Sequence, residues 1–144
     1  MAKTTVATLP PLRRLSADEA FVALIIAAME ANDHSAPEEA QRAQHIVHSM
    51  SRFRKRGDAV GRLIFDMKQM RREHAPDAII AAACRAIPPR LRKSAFAIVA
   101  DIILADRRLQ GIERRFLSSV AKQLDQTPAD TNAILDAIRI RRGA

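Results

Sequence analysis

Apolar residues recur at a spacing of three and four along most of the chain, in segments separated by helix start and stop signals. In the first such segment Phe21, Leu24, Ile25, Ala28 and Met29 follow one another at i, i+3, i+4, i+7 and i+8. This spacing puts all five side chains on one face of an α-helix. The chain contains only 4 Gly and neither Trp nor Tyr, which also favours helices over strands.

Start and stop signals divide the chain into seven predicted helices. Ser16 and Glu19 have the spacing of a capping box, so the first helix should run from about residue 17 to residue 31. Ser35 and Glu38 repeat the signal for a second helix that ends near Gly57. The other starts are Asp58 as the cap of helix three, Pro76 for helix four, residue 90 for helix five and Thr127-Pro128 for helix seven. Helix six follows helix five, and Ile112 is its first apolar residue.

Three packing expectations follow from the apolar positions. Helix five, at about residues 90–105, is apolar over most of its circumference and should be the most buried helix. Phe96 should lie on its core face. Ile112 should face inward from helix six, where it begins the apolar series.

The chain also contains an internal repeat with a constant offset of 74 residues. This offset relates Asn32 to Asp106, Glu39 to Glu113, and the first two helices to helices five and six. Two copies are too few to stack as a solenoid. We therefore predict an all-α fold, a single compact bundle with a pseudo-twofold repeat, in which residues 16–144 form the domain and residues 1–15 an extended or disordered arm.

Charge and cysteine content limit the classes of protein to consider. No apolar run reaches the ~20 residues of a membrane span, and residues 1–16 lack the apolar region of a secretory signal. Cys84 is the only cysteine, which excludes an intramolecular disulfide and fits a reducing compartment. We therefore expect a cytoplasmic protein with no transmembrane segment. The oligomeric state cannot be read from these features.

Two loops resemble those of a known family. Residues 31–39 read ANDHSAPEE and residues 105–113 read ADRRLQGIE, and both are similar to the inter-helix loops of TerB-like domains, which read Ala-Asp-Gly, a hydrophobic residue, then Glu. The resemblance covers roughly residues 18–140. It implies a non-enzymatic interaction or stress-response protein associated with tellurite resistance, whose acidic loop residues bind a divalent cation such as calcium.

The resemblance gives a set of candidate metal ligands. Asp106 and Glu113 of the second loop keep the family's acidic residues, whereas Asn32 replaces the Asp of the first loop and leaves Glu39 as its acidic residue. Arg107 stands where the family has Gly and should weaken binding of a dication. The alternative is structural, since Asx side chains bond loop amides and Glu is favourable in the first turn of a helix.

A basic run supports an alternative function. Arg52, Arg54, Lys55 and Arg56 surround Phe53, and such a run could contact the phosphates of nucleic acid or an anionic membrane surface. The net charge of +8 is compatible with that alternative. Against it, Phe53 is expected in the core and the chain carries no helix-turn-helix signature.

Other reactive side chains receive structural interpretations. Cys84 lies in an apolar stripe and should be a buried thiol. His45 and His48 are spaced three apart but lack the further ligands of a closed zinc site. Asp101 interrupts the apolar helix five and should be a buried carboxylate that pairs with an Arg. The sequence therefore predicts no catalytic residues, and a protein partner whose identity it does not indicate.

Overall fold

The computed structural model describes residues 12–32, 36–54, 56–106 and 111–143, with the backbone alone for residues 36–40 and 106. These residues form seven α-helices and three one-turn 3₁₀ helices, with no strand among them. The α-helices are α1 (Ala17–Ala31), α2 (Ala36–Ser49), α3 (Ala59–Glu73), α4 (Pro76–Ala86), α5 (Arg92–Ile103), α6 (Gly111–Gln123) and α7 (Pro128–Arg142). The 3₁₀ helices are Ser51–Phe53, Pro89–Leu91 and Leu104–Asp106. The predicted all-α class is confirmed.

Side-chain caps fix the starts of two helices. At α1 the Ser16 hydroxyl accepts a hydrogen bond from the Glu19 backbone N–H at 3.1 Å, and a Glu19 carboxylate oxygen accepts one from the Ser16 N–H at 2.9 Å. This is the predicted capping box, and it satisfies N–H groups that a helix start leaves unpaired. At α7 the Thr127 hydroxyl accepts a hydrogen bond from the Asp130 N–H at 3.1 Å.

The core is built around α1, which contacts α2, α3, α4, α5 and α6. Ten of its 15 residues are buried, against six of the 12 residues of α5. The expectation that the fifth helix is the most buried is therefore wrong. The physical reason is that α1 packs against five helices, whereas α5 leaves Lys93 and Ser94 exposed and Asp101 half-buried. Phe96 of α5 is fully buried, as predicted.

The structure corrects three local predictions. Helix α2 ends at Ser49, well before Gly57, because Met50 is extended and the Ser49 hydroxyl bonds the Ile46 carbonyl at 2.6 Å. Asp58 precedes α3 but its side chain forms no capping hydrogen bond. Ile112 is 70% exposed.

The exposure of Ile112 follows from the register of α6. The buried residues of α6 are Glu113, Leu117, Val120 and Ala121, and these lie on one face at helical spacing. Ile112 lies one residue before Glu113, about 100° away around the helix, and therefore points outwards. Val120 and Leu124, which continue the predicted series, are fully buried, so the prediction is wrong for its first member alone.

The bounds of the helices follow the internal repeat. With the offset of 74 residues, the start of α1 maps to residue 91 and the start of α2 to residue 110, one residue before α5 and α6 begin. The end of α2 maps to residue 123, where α6 ends. The predicted arm lies mostly outside the described residues, but Leu15 at its end is buried in the core. No helix in the described part of the chain is long and apolar enough to cross a membrane.

Candidate functional site

The corner at the end of α1 holds Asn32, the first of the predicted loop residues. Asn32 follows the last residue of α1 and is only 6% exposed. Its side-chain Nδ2 donates a hydrogen bond to the Ile102 carbonyl at 3.1 Å. Ile102 lies in the last turn of α5, where carbonyls lack partners within the helix. Asn32 therefore joins the ends of the two helices that the internal repeat relates.

The start of α6 holds Glu113, whose side chain meets a different environment. Glu113 lies in the first turn of α6 and is 8% exposed. Its Oε2 is buried and has no hydrogen-bond partner among the described residues. The helix N-terminus favours an anion at this position, but a buried carboxylate oxygen without a donor is costly. A cation, or a donor from outside the described residues, would remove that cost.

Asn32 and Glu113 belong to neighbouring parts of the molecule. Helices α1 and α6 contact each other, and one groove is lined by both Ala31, which precedes Asn32, and Phe116, one turn after Glu113. The other predicted ligands, the Glu39 and Asp106 side chains, lie outside the described residues. Among the His, Cys, Asp and Glu side chains that are described, no three could hold a metal ion together.

The predicted basic surface is partly neutralised within the protein. Arg52 and Arg56 both form ion pairs with Asp18 of α1, Arg56 at 2.7 Å. Arg52 also lies over the ring of Phe21, 5.7 Å from its centroid. Asp18 is buried, and the sequence reasoning missed it because its pairing with residues 34 and 38 positions further along depends on the tertiary fold.

The rest of the basic run is divided between surface and core. Arg54 is exposed, and Lys55 lies outside the described residues. Phe53 is fully buried in the core, as predicted. Its ring is therefore not available to stack on a base, which single-strand binding requires of an aromatic residue.

The remaining candidate side chains take structural or solvated positions. Cys84 is buried, and loss of solvation raises the pKa of its thiol to about 12, so it stays protonated at neutral pH. His45 and His48 are exposed on α2. Asp101 accepts a hydrogen bond from Arg142 of α7 at 2.9 Å, which confirms the predicted pairing with an Arg. The predicted burial of Asp101 is wrong, because its side chain lies at the half-exposed edge of α5 where Arg142 reaches it.

An apolar groove of about 240 Å³ lies between α1, α3, α4 and α6. Its apolar walls include Ile26, Met67, Ile80 and Phe116. An ion pair between Arg71 and Glu30, 3.1 Å apart, also lines it. This groove could not be predicted from the sequence, because its walls come from four helices that are far apart in the chain.

Comparison with known proteins found no matching family model, no similar curated protein and no similar solved structure.

Proposed function

We propose that this chain is a non-enzymatic interaction module of the TerB-like, stress-response type, with a weak divalent-cation site at the corner between α5 and α6. The observation that carries the proposal is the buried Oε2 of Glu113, which has no donor among the described residues. A hard cation such as calcium binds carboxylate and carbonyl oxygens. Asp106, the other ligand that the resemblance suggests, ends the 3₁₀ turn that follows α5.

The site is expected to be weak for reasons of charge and ligand number. Calcium takes six to eight oxygen ligands, and this corner supplies two carboxylates at most from the suggested set. Arg107 and Arg108 follow Asp106 directly in the sequence, and their charges oppose a dication. Asn32 adds no negative charge at this corner, because its side chain is a neutral amide.

The assignment as an interaction module has separate support. The structure leaves the large apolar side chain of Ile112 70% exposed. Ile112 lines a cleft together with Ile80 and Phe116, which also line the apolar groove. An exposed apolar side chain beside an apolar groove and rimmed by polar residues is typical of sites that other molecules cover.

The alternative function, binding of nucleic acid or an anionic membrane through the basic run, has less support. Two of the arginines of the run are paired with Asp18, and Phe53 is buried. Binding to DNA with an affinity that falls steeply as salt rises, and that is lost in Arg54→Gln, would favour this alternative.

Calorimetric titration of calcium into the metal-free protein tests the cation site. We expect weak binding that is lost in Asp106→Asn and strengthened in Arg107→Gly, because the first change removes a ligand charge and the second removes an opposing one. Asp136→Asn is a matched control. Its side chain is 70% exposed and forms only a 3.8 Å pair with Arg139 in the same helix.

Two results would contradict the proposed site. Binding tighter than roughly 1 μM that survives Asp106→Asn would move attention to Asp33, Glu38 and Glu39 in the first loop. Equal losses in Asp106→Asn and Asp136→Asn would show that calcium responds only to the overall charge of the protein.

A further inference from the structure

A second cleft, separate from the α5–α6 corner, has a charge character that the proposed function does not use. It has a volume of about 750 Å³ and lies where the segment before α1 crosses the C-terminal part of α4 and the first residue of α5. Its apolar part is formed by Leu12, Leu15, Ala82 and Ala86. We call it the arginine cleft, because its remaining lining residues are Arg13, Arg14, Arg85 and Arg92.

The four arginines fall into two pairs. Arg13 and Arg92 are held by carboxylates: Arg13 Nη1 donates to a Glu19 oxygen at 2.9 Å, and Arg92 Nη1 donates to Asp125 at 2.6 Å. Arg92 Nε also donates to the Ile87 carbonyl at 3.1 Å. These bonds hold two cationic side chains in place at the cleft without help from any ligand.

Arg14 and Arg85 form the other pair. Both are exposed, and neither forms an ion pair with any carboxylate that the structure describes. The charges of Arg92 and Arg85 also act on the buried Cys84 thiol. Burial raises the pKa of this thiol, and the two charges partly oppose the rise. Two guanidinium groups are therefore free to take an anionic ligand beside two that are already oriented.

The charge balance sets the class of anion. The described lining contains four arginines and no acidic residue, while Glu19 and Asp125 each neutralise one arginine from outside it. Two positive charges remain, which matches a dianion. Guanidinium groups bind phosphate and carboxylate oxygens bidentately, and a phosphate monoester carries close to two negative charges at neutral pH.

From these observations we infer that the arginine cleft is a binding site for a phosphate monoester with an apolar substituent. Arg14 and Arg85 bind the phosphate oxygens, and the Leu12, Leu15, Ala82 and Ala86 side chains contact the substituent. The volume is within the range of small-molecule sites, about 300–1,000 Å³. The same chemistry occurs in a free metabolite-sized ester and in a phosphatidic acid headgroup.

Calorimetry with two probes separates these sources. Phenyl phosphate is titrated into the full chain at pH 8, where the ester is a dianion, and benzenesulfonate serves as the monoanion of similar shape. Vesicles of phosphatidylcholine with and without phosphatidic acid are titrated in a second series. We expect saturable one-site binding of phenyl phosphate, with benzenesulfonate at least about fivefold weaker, since it has half the charge.

Variants then locate the binding. Arg14→Gln and Arg85→Gln should each weaken binding by about tenfold or more, because each removes charge-assisted hydrogen bonds to the phosphate. Arg54→Gln is the matched control, since Arg54 is also exposed and also carries one charge, but it lies outside the cleft. Its effect should be below about twofold. All three positions are at the surface, and circular dichroism checks that each variant is folded.

The outcomes are distinct. Loss of phenyl phosphate binding in Arg14→Gln and Arg85→Gln alone supports a free ester as the ligand. The same pattern with phosphatidic acid vesicles, and no binding of phenyl phosphate, supports the lipid headgroup. Equal weakening by Arg54→Gln, or no binding of either probe, would overturn the proposal. Because none of these variants alters Asp106 or Glu113, the calcium titration remains an independent test of the proposed function.

Discussion

The corner after α1 and the corner before α6 contain buried polar side chains in different states. In the first, the amide of Asn32 donates a hydrogen bond to the Ile102 carbonyl at the end of α5. In the second, the Oε2 of Glu113 is buried without a donor among the described residues. The two residues occupy different positions of the 74-residue repeat, since the offset relates Asn32 to Asp106 and Glu39 to Glu113.

The contrast separates a corner whose buried polar group has a partner within the protein from one whose buried polar group has none among the described residues. The Asn32 amide can donate to a carbonyl, whereas a carboxylate cannot. Glu113 is a carboxylate, and its buried Oε2 has no hydrogen-bond donor among the described residues. We call the first corner the joint, and the second is the corner at which we propose the cation site.

The largest expected effect tests whether the two copies of the repeat, α1 with α2 and α5 with α6, share one core. The comparison of the two corners assumes that they do. Phe96→Ala should lower the free energy of unfolding by ~3–5 kcal/mol, since Phe96 is fully buried and truncation leaves a cavity. Phe65→Ala is the matched control, because Phe65 is 57% exposed, and it should cost less than ~1 kcal/mol. Urea unfolding measures both. A loss below about 1 kcal/mol in Phe96→Ala would show that Phe96 does not pack in the core and that α5 does not share it.

The next effect concerns the joint itself. Asn32→Ala should lower the free energy of unfolding by ~1–3 kcal/mol, because it removes the buried hydrogen bond between the Asn32 side chain and the Ile102 carbonyl. Asn132→Ala in α7 changes an exposed Asn and should stay within ~0.5 kcal/mol of the wild-type value. Equal stabilities of Asn32→Ala and Asn132→Ala would show that the Asn32 hydrogen bond does not stabilise the joint.

The smallest effect compares how the two related helices begin. Helix α1 starts with a capping box, whereas α5 has Leu91 at its N-cap and no side-chain cap. The hydrogen bond from Arg13 is the main cause that lowers the pKa of Glu19 from 4.5 to about 2. Partial burial opposes this shift, and the hydrogen bonds with Ser16 add to it. We expect Glu19→Gln to cost about 1 kcal/mol at pH 7.

The pH dependence of that difference has a definite sign. A carboxylate whose pKa is depressed in the folded state stabilises fully above its unfolded pKa, and the stabilisation is lost as the pH falls through the folded pKa. The gap between wild type and Glu19→Gln should therefore be constant above pH 5 and shrink between pH 4.5 and about 2. Urea unfolding at pH 7, 4 and 2.5 checks it, and a gap that grows on acidification would contradict the assignment.

The sequence predicted the elements well where the signals were local. The Ser16–Glu19 capping box and the first apolar stripe gave the bounds of α1, because both depend on residues within one or two turns. The end of α2 was missed, since the buried position of Phe53 in a separate 3₁₀ turn is determined by tertiary packing. The ion pairs of Asp18 and the arginine cleft were missed for the same reason, as their residues come from distant parts of the chain.

The candidate site was predicted only in part. The repeat related Asn32 to Asp106 and Glu39 to Glu113. Of these four side chains the structure describes those of Asn32 and Glu113, and both are buried. Their opposite hydrogen-bonding states could not be derived from spacing, because they depend on which carbonyl or carboxylate faces each side chain. For Glu113 the register of α6 decides burial, because it turns Glu113 towards the core and Ile112 towards solvent.

The free energy of unfolding of wild type and Glu113→Gln, each with and without calcium, tests the central claim most directly. Without calcium, the variant should be as stable as wild type or more stable, because an amide costs less than a carboxylate to bury without a partner. With calcium at about ten times its dissociation constant, wild type alone should gain about 1.4 kcal/mol. A variant that is more than ~1 kcal/mol less stable without calcium, together with a wild type that calcium does not stabilise, would show that Glu113 is a structural residue.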